Sequence, residues 1–213
     1  MNINIAAGRY ADLPVPDIAL LHRDVYAILG ALLAGPPSAP RMHDLAGLTV
    51  LPGAAPALDR CLHRLKQAAR HGRPARVSRE YADVFIGLGS GEVVPYASWY
   101  LGNRLMARPL VRMRSDLPAL RICLQKNVYE FEDHAAAMCE AMAMILDTPT
   151  IPPHRRHQFF DTHLAPWMSR FFDDLRKAPS ANFYRDVGHL GRQFMLLEMH
   201  SAPAPALPTF REE

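Results

Sequence analysis

Cysteine is scarce in this chain: Cys61, Cys123 and Cys139 are three thiols among 213 residues, widely spaced and without a Cys-x-x-Cys pair. An odd count at such spacing excludes a disulfide framework, and apolar neighbours suggest buried, reduced thiols of a cytosolic protein. No apolar run approaches the roughly 20 residues that span a bilayer, so membrane insertion is not expected. Met1 to Asp17 lacks a charged segment followed by an apolar stretch, and Arg155-Arg156 is internal. The expectation is a cytoplasmic protein without an export signal of its own. Net charge is only +3, too little to argue for a nucleic-acid partner. Period-two alternation is missing, which removes the β classes, and no internal repeat of solenoid period occurs. Also lacking are a Gly-x-Ser-x-Gly elbow, a His-Glu metal spacing and a Gly-Lys-Ser/Thr phosphate loop.

What the chain does have is apolar material, at 49%, and helical spacing almost throughout. Ile18, Leu21, Val25, Ile28 and Leu32 mark a first helix, ended by Gly35-Pro36-Pro37. Leu58, Cys61, Leu62 and Leu65 mark a second. Ser78 suits the N-cap of a third, which carries Tyr81, Val84 and Phe85 and stops near Gly87. His134, Met138, Ala141 and Ile145 lie on a fourth, apolar nearly all round like a helix in mid-bundle. Phe160, Leu164, Trp167, Phe171 and Leu175 give a fifth, with a kink or break expected at Pro166. Phe183, Val187, Leu190, Phe194 and Leu197 give the last. Residues 35–56 read as a Pro/Gly linker holding at most one short helix. The fold class is all-α, a single-domain helical bundle over 1–200, with a Pro/Ala-rich loose tail at 201–213.

Charge is unevenly placed. From Arg60 to Arg79 seven Arg or Lys occur without an acid, whereas Glu130, Glu132, Asp133, Glu140 and Asp147 fall in a stretch free of Lys and Arg. One side then attracts anions and another cations, unless both are simply solvated helix faces. Gly87, Gly89 and Gly91 sit before Pro95, Tyr96, Trp99 and Tyr100. These aromatics are either core packing or a recognition surface, since rings bury much area with little rotamer entropy. Glu130, Glu132 and Asp133 open the fourth helix, where carboxylates complement the helix dipole. His134 beside Asp133 is either a satisfied core histidine or half of a general-base pair. His154 and His157, three apart, could share a helix face as zinc ligands do, but Arg155 and Arg156 lie between them and no carboxylate or cysteine completes a set. A small enzyme or metal protein built on those two pairs is the alternative reading.

Several blocks, taken in order, resemble the TorD/DmsD redox-enzyme maturation chaperones, distant relatives of the nitrate-reductase chaperone NarJ. Glu80-Tyr81 to Phe85-Ile86-Gly87 is similar to an aromatic-x-x-Leu-Phe-x-Gly block, with Val84 at the Leu position. Pro95-Tyr96-Ala97-Ser98-Trp99-Tyr100 resembles a Pro-aromatic-x-Ser-x-aromatic block. Glu130 to His134 resembles Glu-Pro-x-Asp-His, with Phe131 in place of proline. His163 to Leu175 resembles a His-Leu-x-Pro-Trp block, and Phe183-Tyr184 with Gly188 the opening of the last helix. Leu88 stands where the family usually has proline.

The resemblance implies an all-helical TorD-like domain and no enzymatic step. It implies binding of the twin-arginine signal peptide and catalytic subunit of a molybdoenzyme, a formate dehydrogenase or a dimethyl sulfoxide or trimethylamine oxide reductase. No resident cofactor is implied, only transient contact with molybdopterin or a guanine nucleotide, and a monomer or a domain-swapped dimer fits. The binding residues carried over are Tyr81, Phe85, Pro95, Tyr96, Ser98, Tyr100, Glu130, Asp133 and His134. With Trp99 added, the rings of Tyr81, Phe85, Tyr96 and Tyr100 are expected to wall an apolar groove. Glu130, Glu132 and Asp133 are expected to take the paired arginines.

Overall fold

The computed structural model describes residues 4–5, 15–50, 55–87, 91–123 and 131–201. It is all-α, as expected. Its only described strand pairing is a two-residue parallel ladder, β1 (Asn4–Ile5) against β2 (Thr49–Val50). Among the described residues no helix is long and apolar enough to cross a membrane.

The bundle centres on α1 (Val15–Leu33), α7 (Ala135–Leu146) and α10 (Phe183–Ser201). α7 lies against α1, and α10 lies against both α3 (Pro56–His71) and α9 (Met168–Lys177). Met138, Cys139, Ala141 and Ile145 are all buried, which is why α7 reads apolar all round. At the α9–α10 crossing, a Cβ at Gly191 would fall 2.2 Å from the Phe172 ring, and one at Gly188 2.7 Å from the Arg176 amide. Any larger residue would push the two helices apart.

Several elements differ from expectation. Ser78 does not cap the third helix: α4 (Pro74–Tyr81) starts four residues earlier, with Pro74 at a position where a missing N–H costs nothing. A π-turn, Ala82–Ile86, prolongs it to Gly87. The acids before His134 do not lie in the first turn of α7, because that helix starts at Ala135. α5 (Ala97–Gly102) and α6 (Arg108–Ala119) were not anticipated. The α6 signal, Leu110, Met113 and Leu117, is interleaved with arginines and bounded by Pro109 and Pro118. Among the described residues of 35–55 the one helix is α2 (Ala39–Ala46), capped by Ser38, and α3 already begins at Pro56. The break at Pro166 is present: α8 (Pro153–Phe159) runs into a second π-turn, Phe160–Leu164, before α9 begins at Met168. All three cysteines are free, Cys139 buried and Cys61 half-buried, but Cys123 is exposed, contrary to the reading of buried thiols. Of the expected tail, 201–213, Ser201 still belongs to α10 and 202–213 lie outside the described residues.

His163, buried in the second π-turn, meets Asp116 of α6 at 2.8 Å, and its backbone carbonyl accepts from the Trp167 indole N–H at 2.7 Å. Burial pushes its imidazole below the ordinary histidine value, with the Asp116 carboxylate pulling the other way. A folded value below the unfolded one means that the unfolded chain takes the proton first. Stability from this group is therefore full above about pH 6.5 and is lost as pH falls toward the folded value. In His163→Gln the urea midpoint should vary less with pH below about 6.5 than in the parent; an unchanged slope would contradict this assignment.

Candidate functional site

Two of the sequence blocks lie side by side. Tyr96 and His134 form an antiparallel bridge, flanked by Ala97 N–H to the Asp133 carbonyl at 2.9 Å and Ala135 N–H to the Pro95 carbonyl at 2.8 Å. Asp133 is fully buried, and its Oδ2 accepts from both the Ser98 amide (3.0 Å) and the Ser98 hydroxyl. The same hydroxyl accepts from the Ala107 amide at 3.1 Å, just ahead of α6. One carboxylate thereby fixes the start of α5 and the return of the α5–α6 loop. Asp133 Oδ1 has no hydrogen-bond partner. His134 is the N-cap of α7: its Nδ1 accepts from the Ala136 amide at 3.1 Å, so that nitrogen carries no proton. Its ring stands edge-on to Tyr96, with centroids 4.9 Å apart. Asp133 and His134 thus serve different helix ends, and their side chains do not combine as an acid–base pair.

The Glu80–Phe85 block is also turned inward. Both Glu80 carboxylate oxygens take backbone amides at the start of α10, those of Asn182, Phe183 and Tyr184 at 2.7–3.1 Å. Tyr81 is buried and donates to the Leu33 carbonyl at 3.1 Å, while Tyr184 donates to that of Leu32 at 3.1 Å. With Arg41 on Ala31 and the Ala34 amide on Gly30, all four terminal carbonyls of α1 are satisfied. The Phe85 ring packs edge-on to Tyr184 at 5.3 Å. Tyr81 and Phe85 therefore do not wall an open groove: Tyr81 is occupied in closing the end of α1, and the half-buried Phe85 ring in packing against Tyr81 and Tyr184.

The remaining rings diverge. Pro95 is buried and Tyr96 half-buried. Tyr100 packs on Trp167 at 5.4 Å, donates to Asp174 at 2.8 Å and lies under the Arg170 guanidinium. Burial, with Asp174 adding to it, drives this phenol well above the usual range. Trp99, by contrast, is 42% exposed. Leu101, Leu105, Met106 and Val111 of the same α5–α6 segment are exposed as well, Met106 and Val111 by more than 60%. Beside it is a depression of about 360 Å³ walled by Val93, Val94, Trp99, Tyr100 and Leu105, with Glu92 and Asp174 on its rim. The loop here holds Asn103 and Met106 at φ 51° and 52°, a left-handed backbone that costs a non-glycine residue about 1–3 kcal/mol and tends to occur at functional sites.

The expected carboxylate site is dispersed. Asp133 is sealed in, Glu132 pairs with Arg114 at 2.9 Å, and Glu130, like Leu88 and Gly89, lies outside the described residues. Glu92, Asp174, Leu105, Met106 and Val111 were not singled out in the sequence. Val111 was legible as an apolar residue off the Leu110–Met113–Leu117 stripe, whereas the carboxylates carried no local signal. His154 and His157 lie on α8, and among the described residues no three His, Cys, Asp or Glu side chains are placed to share an ion.

Comparison with known proteins bears on this arrangement. Residues 51–173 match the family model described as nitrate reductase delta subunit. The chain is 23% identical to the chaperone protein TorD of Vibrio cholerae serotype O1 (strain M66-2), across 75% of this chain and 80% of that protein. It is 24% identical to the TorD of Aliivibrio salmonicida (strain LFI1238), across 73% and 78%. A crystal structure of an Archaeoglobus fulgidus protein assigned to redox enzyme maturation superposes with a TM-score of 0.58 at 15% identity, covering 83% of this chain and 94% of that one. That likeness is one of fold.

Removing only the Tyr81 hydroxyl leaves a buried Leu33 carbonyl without its donor. Tyr81→Phe should lower the unfolding free energy by about 1–2 kcal/mol, read by urea denaturation. Unaltered stability would mean that this end of α1 is satisfied some other way.

Proposed function

The chain belongs to the nitrate reductase delta subunit family, and from that premise we propose that it is a TorD-type chaperone of redox-enzyme maturation. On this reading it works in the cytoplasm, gripping the twin-arginine leader of a molybdoenzyme's catalytic subunit and delaying export until the cofactor is installed. The observation that carries the reading is the exposed apolar surface of α5 and α6 beside a depression rimmed by Glu92 and Asp174.

A twin-arginine leader joins two guanidinium groups to an apolar stretch. The stretch lies over Trp99, Leu101 and Leu105, with Met106 and Val111 extending the contact. Each aliphatic side chain buried there contributes roughly 1.5–3 kcal/mol before ordering costs. Three or four such anchors, less those costs, give about −8 kcal/mol, or micromolar affinity, which suits a protein that must release its client. Asp174, exposed and engaged by the Tyr100 hydroxyl, offers a carboxylate for paired hydrogen bonds from an arginine. The mechanism is reversible binding in which no covalent bond changes and no resident cofactor takes part. The separate structural duties of Asp133 and His134 support a non-enzymatic role.

Calorimetry with a synthetic twin-arginine leader tests the reading. Trp99→Ala combined with Leu105→Ala should weaken binding by about tenfold or more, while Tyr81→Phe leaves affinity near that of the parent. Full affinity in a folded double variant, or loss in Tyr81→Phe alone, would contradict it.

A further inference from the structure

A second surface of opposite polarity adjoins the depression. The Glu92 carboxylate on the depression's rim accepts from the Ser180 amide and hydroxyl at 3.0 and 2.6 Å. Ser180 in turn lines a groove of about 1070 Å³ between α3 and α4. Four arginines line it, and three acids accompany them. Asp186 is engaged by Arg64 at 2.8 Å, and Glu80 is spent on the three amides that open α10. Asp83 alone then faces Arg73, Arg76 and Arg79, which are exposed and have no ion-pair partner among the described residues. Arg73 is the N-cap of α4, and Arg76 and Arg79 follow one turn apart along the helix, so the three line the same groove.

We propose that this groove binds an acidic polypeptide segment of a partner protein. The inference does not rest on the leader reading. Two features favour a polypeptide over a phosphate ligand or a nucleic acid. The α10 N-terminus, the natural seat for a phosphate, is already filled by the Glu80 carboxylate. The groove's one large aromatic lining residue, Phe183, is buried, which leaves only the small imidazoles of His63 and His71 to face a base. What remains is an open trough, slightly larger than small-molecule pockets, which sit at about 300–1,000 Å³. Along it run a row of arginine forks and the neutral polar groups of Gln67, Ser180 and Asn182. Carboxylates spaced along an extended or helical chain match that row, each taking paired hydrogen bonds. Such an interface would steer association through charge and weaken as salt rises.

The test is fluorescence anisotropy with a labelled oligoglutamate peptide and the full-length chain. The peptide should bind, more weakly as salt is raised. Replacing Arg73, Arg76 and Arg79 together with Gln should cost about tenfold or more in affinity, and replacing all three with Lys a clearly smaller amount, since lysine keeps the charge but loses the paired hydrogen bonds. A control on α6, Arg108→Gln with Arg112→Gln, should bind as the parent does. Four results would overturn the proposal: no binding; equal binding by the triple Gln variant; as great a loss in the Lys variant; or tighter binding of inorganic triphosphate or single-stranded RNA that depends on the same three arginines. The leader test uses Trp99 and Leu105, so the two readings fail separately.

Discussion

A buried helix end leaves backbone groups that must find partners, and the adjacent side chains of Glu80 and Tyr81 close two such ends at once. Glu80 gathers the first amides of α10, and Tyr81, with Tyr184, closes the carbonyl end of α1. The two central helices are thereby held through one turn of α4. The cost of leaving even one of these groups unmet, about 1–3 kcal/mol, is large against the whole stability of a domain. The same requirement recurs at α7, where His134 caps the helix and Asp133, one residue earlier, holds α5 and the start of α6 in place.

This division of labour bears on function. Residues that resemble a binding motif are here mostly joints of the scaffold, and the side chains left over are those on α5, α6 and the loop between them. Trp99 faces outward because its neighbours Ser98 and Tyr100 are tied down, the first by Asp133 and the second by Trp167 and Asp174. A rigid base under a mobile client suits a chaperone, since little of the binding free energy is lost to ordering the surface itself. The two π-turns lie at the Glu80–Gly87 and His163–Trp167 blocks, where one extra residue re-aims the chain without ending the helix direction.

The all-α class, the break at Pro166, the stop at Gly87 and the buried α7 were legible because each follows from local spacing or from a residue that cannot continue a helix. α6 was hidden because its stripe is short and bounded by prolines, although Pro109 lies in the first turn, where its missing N–H is harmless. The start of α4 was misplaced for the same reason: a proline at the first helical position reads as a break when no cap precedes it. Which aromatics face outward could not be read at all. Tyr81 and Trp99 look equally available in the sequence, and only tertiary partners more than forty residues away distinguish them. Glu80 acts over a separation of about a hundred residues and leaves no local trace.

The central claim is that a client's leader is gripped on the α5–α6 surface while the Glu80–Tyr81 clasp stays structural. Hydrogen exchange of the full chain, with and without a bound twin-arginine leader peptide, tests it most directly. Slower exchange confined mainly to Ala97–Ala119, with Tyr81–Ile86 unchanged, is the predicted result. Protection gained at Tyr81–Ile86 with none across α5 and α6 would contradict it.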